Sequence, residues 1–279
     1  MDLSKIKNRL ESLQQKPGAK KEKIDYTKVF WKPKVGKHQI RIVPSKFDKA
    51  NPFKEAFVHY GFAKFPIFAL TNWGEPDPIV EFTKKLRSTS DKDNWSLAKK
   101  LDPKMRIYAP VIVRGEEDMG VRLWEFGKEI YMQLLGIAED EDYGDYTDIT
   151  EGRDFNIEAA EADIAGRKGI KCTLRVKPKT TPVSTDSKLV ETWLEEQPEI
   201  LELNKKHTYE EIKVILQNWL NPEEAEEDDT ITLATPTPVA DDLPWKDEDD
   251  SATSKATEKK LGAKKAKTSE KFDALFTED

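Results

Sequence analysis

Hydrophobic and polar residues alternate along much of the chain up to about residue 180. In the segment 104–108, a period of two puts Met105 and Ile107 on one face and Lys104, Arg106 and Tyr108 on the other. Segments of this kind predict β-strands whose apolar face packs on a core. The second face of this strand combines cations with an aromatic ring.

The same alternation returns in two further segments. In 121–126 it places Arg122 and Trp124 on a common face, and in 171–177 it gives a basic polar face. Cys172 lies on the apolar side of the last segment, where we expect a small core residue. Because it is the chain's single cysteine, an internal disulfide and a multi-thiolate metal site are excluded.

Helical periods appear at the two ends of this β-rich region. Residues 3–13 carry leucine and isoleucine at spacings of three and four, with Lys5, Lys7 and Arg9 between them, which predicts a short basic amphipathic helix. Near the other end, Thr208 and Glu211 form a capping box at the start of a helix with an apolar stripe. We expect this second helix to pack on the folded body.

Residues 222–279 are rich in Glu, Asp, Thr, Pro and Lys and show no sustained period, which predicts disorder. The sequence therefore divides into a basic arm (1–25), a folded core (26–221) and an acidic tail (222–279). Apolar islands in an acidic disordered chain commonly bind partner proteins. In this tail they contain Leu243, Trp245, Phe272, Leu275 and Phe276.

The net charge of −7 hides an uneven distribution. Residues 1–115 carry 25 Lys/Arg and 12 Asp/Glu, residues 116–221 carry 13 and 24, and residues 222–279 carry 8 and 17. Aromatic residues also concentrate early, because 17 of the 26 lie between Tyr26 and Tyr131. A basic half followed by an acidic half indicates a surface for a polyanion.

Cations and aromatic rings together favour single-stranded nucleic acid. Cations neutralise phosphates, and rings stack on unpaired bases whatever the base is, whereas the bases of a duplex are already stacked. The alternative for any one ring is a place in the core. The alternation favours function for Tyr108 and Trp124, and the nearby Trp95 favours it for the lysine pair Lys99 and Lys100, which alone would be typical of a solvated surface.

Signals for catalysis are weak. The three histidines are scattered, without a second ligand at metal-binding spacing. Asp77 and Glu81 with Lys84, or Asp91 with Asp93, would offer paired carboxylates to the magnesium ions of a nuclease, but turn-forming and solvated neighbours surround them. We therefore expect neither enzyme activity nor a cofactor or metal. A metal-dependent DNA-processing enzyme and a protein adaptor with an acidic docking tail remain as alternatives.

The chain has no run of about 18 apolar residues that would cross a membrane. Its first residues also lack the apolar stretch of a signal peptide. We expect a cytoplasmic protein.

Five segments, 30–34, 40–46, 51–53, 59–62 and 124–130, share their order and rough spacing with a known family. They resemble the helix-destabilising single-stranded DNA-binding proteins of T-even-type phages. The resemblance implies an α+β protein, mainly β, with a five-stranded OB-fold barrel, flanking helices and a small subdomain. It also implies cooperative binding through the arm, and recruitment of replication, recombination and repair proteins through the tail.

By the same resemblance, Arg41, Trp95, Lys99, Lys100 and Trp124 stand where the family places DNA-contacting cations and rings. The strand pattern adds further residues on the cationic faces. The predicted DNA-binding set is Arg41, Trp95, Lys99, Lys100, Lys104, Arg106, Tyr108, Arg122 and Trp124.

One departure from the family concerns a metal. Where the family has a Cys-Pro-x-Cys pair for a structural zinc, residues 77–80 read Asp-Pro-Ile-Val, and only His59 remains of the ligand set. We therefore expect a zinc-free subdomain held by apolar contacts of Ile79, Phe82 and Leu86.

Overall fold

The fold is a mixed β-sheet flanked by helices, seen in a computed structural model that describes residues 25–89, 91–164 and 167–221. The side chains of residues 164 and 167 are not included. The predicted arm cations Lys5, Lys7 and Arg9 lie outside the described residues. So do all the residues of the predicted docking tail.

The described residues form eight strands: β1 (Phe30–Trp31), β2 (Gly36–Ile42), β3 (Lys54–His59), β4 (Ile67–Phe68), β5 (Lys104–Val113), β6 (Arg122–Phe126), β7 (Arg153–Ile164) and β8 (Arg167–Thr180). Their α-helices are α1 (Tyr26–Val29), α2 (Pro78–Ser88), α3 (Lys92–Leu101), α4 (Lys128–Glu139), α5 (Ser187–Glu195), α6 (Ile200–Leu203) and α7 (Tyr209–Leu220). Short 3₁₀ turns follow at Leu70–Trp73 and Glu117–Met119.

The strands make one open sheet in the order β1-β6-β5-β2-β7-β8. Strand β5 is its centre, because its first half pairs with β3, its second half with β2, and its middle with β6. The expected α+β class is confirmed. The expected closed five-stranded barrel is not, because β1 and β8 end the pairing order at opposite edges of the described sheet.

The main core lies on the face of the sheet covered by α4. Ile107, Val111 and Val113 of β5 point into it, as the period of two predicts for that side of the strand. Helix α4 adds Tyr131 and Leu134. Other members of this cluster are Trp31, Ile40, Ile42, Phe53, Trp124, Phe126, Phe155 and Ile157.

A second core joins helices α2, α3 and α7. It contains the three residues expected to hold the subdomain, Ile79, Phe82 and Leu86, together with Ala98 and Leu101 of α3. Helix α7 contributes Ile212, Leu216 and Leu220. The predicted capping box is confirmed at the start of α7, and its apolar stripe packs on the folded body as expected.

Candidate nucleic-acid interface

Helix α3 presents an exposed aromatic ring next to two lysines. The helix begins after Asp91, whose side chain accepts a hydrogen bond from a backbone N–H of the first turn. Its buried side holds Ala98 and Leu101, whereas Trp95 on the other side is 54% exposed. Lys99 lies one turn after Trp95 and therefore on the same face, and Lys100 is exposed beside it. An exposed indole with adjacent ammonium groups suits one base and its phosphates.

The next predicted cations lie at the start of β5, which is separated from the end of α3 by two residues. Lys104 is half-buried, and the side chain of Arg106 is only 14% exposed. The Nε of Arg106 donates to the Tyr60 hydroxyl over 3.1 Å, and its guanidinium lies 5.4 Å from the Tyr60 ring centroid. Glu125 Oε1 is 3.6 Å from the same nitrogen. The tyrosine and the carboxylate thus hold the guanidinium in place at a partly open position.

Tyr108 and Trp124 do not lie on an exposed face, so this part of the prediction is wrong. Tyr108 is 4% exposed and Trp124 is 1% exposed. The Trp124 ring packs in the main core, with its centroid 4.5 Å from that of Phe126 and 5.7 Å from that of Trp31. Neither of the two predicted rings is presented to solvent for stacking in this conformation.

The reason is that both faces of β5 and β6 are covered. The strand period is as predicted, but the face opposite the main core packs in a third cluster, where Tyr108 contacts Ala56, Leu123 and Ile200. Ile200 comes from α6, far along the chain. Burial, followed by the nearby Glu125 carboxylate, raises the pKa of the Tyr108 hydroxyl above its ordinary value.

Arg41 likewise lies in the interior. Its side chain is fully buried, and Nη1 donates to Asp154 Oδ1 over 2.9 Å. Nη2 donates to the carbonyl oxygens of Asp148 and Thr181. Burial lowers the pKa of this guanidinium, although Asp154 opposes that effect. A cation paired in this way holds β2 against β7 and the segment after β8, and is not presented to a phosphate.

Arg122 is also buried, which the strand pattern did not predict. Its Nη2 lies 2.6 Å from Glu116 Oε2. This ion pair spans the turn between β5 and β6. The strand pattern showed which face Arg122 shares with Trp124, but not that the turn supplies an acidic partner.

The structure also reveals an exposed ring that sequence reasoning did not select. Phe47 is 51% exposed in the loop between β2 and β3. The available signal was an aromatic residue within a loop that also carries Lys46 and Lys49. Most of the other candidates were selected by the periodicity of a strand. A loop has no such periodicity, so Phe47 was not selected.

The residues of this chain do not fit the zinc site of the resembled family. His59 Nε2 lies 3.2 Å from Asp77 Oδ2, and both side chains are fully buried. Structural zinc takes four ligands, usually Cys and His. Cys172 lies on β8, in the main core region. Among the described residues, no group of three or more His, Cys, Asp or Glu side chains is arranged to hold a metal.

The carboxylates considered for a nuclease have structural partners. Asp77 caps helix α2 by accepting from the backbone N–H groups of Ile79 and Val80. Asp91 caps α3. Helix caps of this kind satisfy backbone donors that would otherwise lack partners. In the part of the chain that the structure describes, no helix is long and apolar enough to span a membrane.

The surface made by α3 and the start of β5 has an exposed ring, adjacent lysines and a partly exposed arginine, which is typical of proteins that bind nucleic acid. Residues 34–221 match the family model described as gp32 DNA binding protein like. The match covers more than half of the chain, and the protein therefore belongs to this family of DNA-binding proteins. No curated protein matches the chain.

Proposed function

We propose that this protein binds single-stranded DNA without sequence specificity. The observation that carries the proposal is the exposed Trp95 indole beside Lys99 and Lys100 on helix α3. A ring gains stacking contacts only with a base that is not already stacked, so the pair favours single strands over duplex. Membership of the DNA-binding family supports the same partner.

We infer the path of the bound DNA strand from the order of the cations along the protein chain. Helix α3 ends at Leu101, and β5 begins at Lys104 after a two-residue connection. Lys104 and Arg106 therefore follow Lys99 and Lys100 closely along the chain, with Asp102 in the connection between them. We place the sugar-phosphate backbone along these four cations, with one base on Trp95.

We extend the proposal to cooperative coating of the strand during phage DNA replication, recombination and repair. The support is the resemblance described above, which gives the arm residues Lys5, Lys7 and Arg9 a role between neighbouring copies. It also gives the acidic tail a role in recruiting other proteins. In this proposal the protein has no catalytic activity and acts in the cytoplasm of the host cell.

Substitution of Trp95 by alanine tests the proposal. Loss of one stacked base should cost about 1–3 kcal/mol, which weakens binding of a short single-stranded oligonucleotide by a factor of about 5 to 150. Alanine at both Lys99 and Lys100 should reduce the slope of log K against log salt by about 1.4, because each phosphate contact contributes about 0.7. Binding is measured by fluorescence anisotropy of a labelled oligonucleotide at several salt concentrations.

Met132→Ala is the control, because Met132 is an exposed apolar residue on α4, away from α3. It should leave affinity unchanged. Equal affinity of the wild type for duplex and single strands, or unchanged affinity in Trp95→Ala, would contradict the proposal.

A further inference from the structure

A cavity of about 270 Å³ opens beside the loop between β2 and β3. Its lining includes the rings of Phe47, Phe53 and Tyr108 and the side chains of Leu123 and Ile200. The inference drawn from it rests on the proposed function, since it concerns where a base of the same bound strand is held.

The Phe47 ring stands at this cavity on a loop that is fixed by hydrogen bonds. The Ser45 hydroxyl accepts from the backbone N–H of Phe47 over 3.2 Å. Gln197 accepts from the backbone N–H of Lys46 over 2.8 Å and donates to the Pro44 carbonyl over 2.8 Å. The backbone is thus braced, yet the ring is half exposed. An apolar ring held in water at the mouth of a cavity is prepared to stack on a flat partner.

The charge of the loop matches a polynucleotide. Between residues 44 and 54 the loop carries Lys46, Lys49 and Lys54 with Asp48 as its one carboxylate, while the charged residues that line the cavity itself are Lys54, Asp48 and Glu199. Lys54 stands directly across from Tyr108 in the pairing of β3 with β5, and it also lines the cavity. An exposed ammonium group at this position meets the phosphate next to a base that enters the cavity.

Tyr108, which lines the cavity, belongs to the same strand as Lys104 and Arg106. Lys104, Arg106 and Tyr108 lie on one face of that strand, because they are two residues apart. Lys104 and Tyr108 are therefore separated by about 13 Å along the strand. A nucleic-acid strand that follows the cations reaches the cavity within a few nucleotides.

We infer that this cavity accepts one unstacked nucleobase of the bound DNA strand. The base stacks on Phe47, its adjacent phosphate contacts Lys54, and the buried Tyr108 ring forms a wall of the cavity. Trp95 and Phe47 then hold two different bases of one strand. Tyr108 acts as a wall and not as a stacking platform, in agreement with its burial.

Phe47→Ala tests this inference with two oligonucleotides of equal length, oligothymidylate and the same backbone with abasic sites throughout. The variant should bind oligothymidylate roughly tenfold more weakly, because a stacked base is lost. Its affinity for the abasic backbone should equal that of the wild type. Phe47→Trp should restore binding, since it keeps a stacking surface.

Phe57→Ala is the matched control. Phe57 is 38% exposed, but it lies one residue from Ala56 on β3 and so faces away from the side that carries Lys54. It should bind both oligonucleotides like the wild type. Thermal melting of each variant shows whether the fold is intact, and the exposure of Phe47 predicts little change.

The results separate this inference from the function on which it rests. Unchanged binding in Phe47→Ala, with weakened binding in Trp95→Ala, would contradict the inference that the cavity binds a base but would still support single-stranded DNA binding. If Phe47→Ala loses equal affinity for oligothymidylate and for the abasic backbone, the inference of a base in the cavity is also contradicted, because the loop would then act through charge alone. Unchanged binding in both alanine variants overturns the function as well.

Discussion

His59 Nε2 lies 3.2 Å from Asp77 Oδ2 in the interior of the protein. The same carboxylate oxygen accepts from the backbone N–H of Leu70 over 2.9 Å, while Oδ1 accepts from Ile79 and Val80 over 2.9 and 3.1 Å. One side chain therefore joins β3, the 3₁₀ turn after β4 and the first turn of α2. This connection crosses the region where the resembled family uses a metal.

Asp77→Asn should destabilise the fold by about 1–3 kcal/mol, because the amide keeps the capping oxygen but leaves a buried polar group without its charged partner. Urea denaturation at neutral pH measures the effect. Asp91→Asn is the matched control, since Asp91 caps α3 at an exposed position. It should change stability by less than about 0.5 kcal/mol. Equal losses in the two variants would mean that the connection to His59 contributes nothing.

The effect of Asp77→Asn should also depend on pH. Burial opposes ionisation of Asp77, but the hydrogen bond and positive charge of His59 and the backbone N–H groups outweigh it and lower its pKa below the ordinary 3.8. Ionised Asp77 therefore stabilises the fold above that value, and the contribution is lost as pH falls through the folded-state pKa. The difference between wild type and variant should be full at neutral pH and shrink under acidic conditions below about pH 4.

Trp95 and Trp124 should behave oppositely in fluorescence titrations. Single-stranded DNA should quench the wild type, and this signal should persist in Trp124→Phe but fall strongly in Trp95→Phe, because only the exposed indole reaches a base. Trp124→Ala should instead cost about 3–5 kcal/mol of stability, as expected for a large ring removed from a core. Quenching that disappears in Trp124→Phe while the fold is intact would contradict this assignment.

Local patterns predicted some elements and some strand faces, but the face of β6 that carries Trp124 was predicted to lie opposite the core and instead packs in it. The period of two separated Ile107 from Tyr108 correctly, and the capping box located the start of α7. The helix that puts Trp95 and Lys99 on one face was not predicted, because this region was expected to be mostly strand. The correct predictions depend on residues a few positions apart, whose relative directions are fixed by backbone geometry.

The same patterns failed where exposure depends on distant segments. Tyr108 is covered by Ile200, which lies about ninety residues later, and no period within β5 contains that information. Arg41 is neutralised by Asp154 from a strand added much further along the chain. A strand with cations and rings on its second face indicates a binding surface only if nothing else packs there.

Asp154 is shared by two arginines and a glutamine. Arg114 approaches it with Nη2 at 3.0 Å from Oδ1 and Nε at 3.1 Å from Oδ2, and Gln39 donates to Oδ2 over 2.5 Å. Arg41 completes the group from the buried side. Removal of any one donor leaves the others to satisfy a carboxylate in the interior.

Arg41→Lys should therefore lower stability by about 3–5 kcal/mol, because an ammonium group cannot reproduce the forked contacts of a buried guanidinium with Asp154 and two carbonyl oxygens. Its affinity for single-stranded DNA, measured at a temperature where the variant is folded, should stay within about twofold of the wild type, because the buried Arg41 contacts no phosphate. The salt dependence should also be unchanged, whereas loss of one phosphate contact would reduce the slope of log K against log salt by about 0.7. Arg175→Lys, at an exposed position on β8, is the matched control and should alter stability by less than about 0.5 kcal/mol. A stable Arg41→Lys protein with weakened binding and a reduced salt slope would return Arg41 to the DNA interface and show that this region opens when DNA binds.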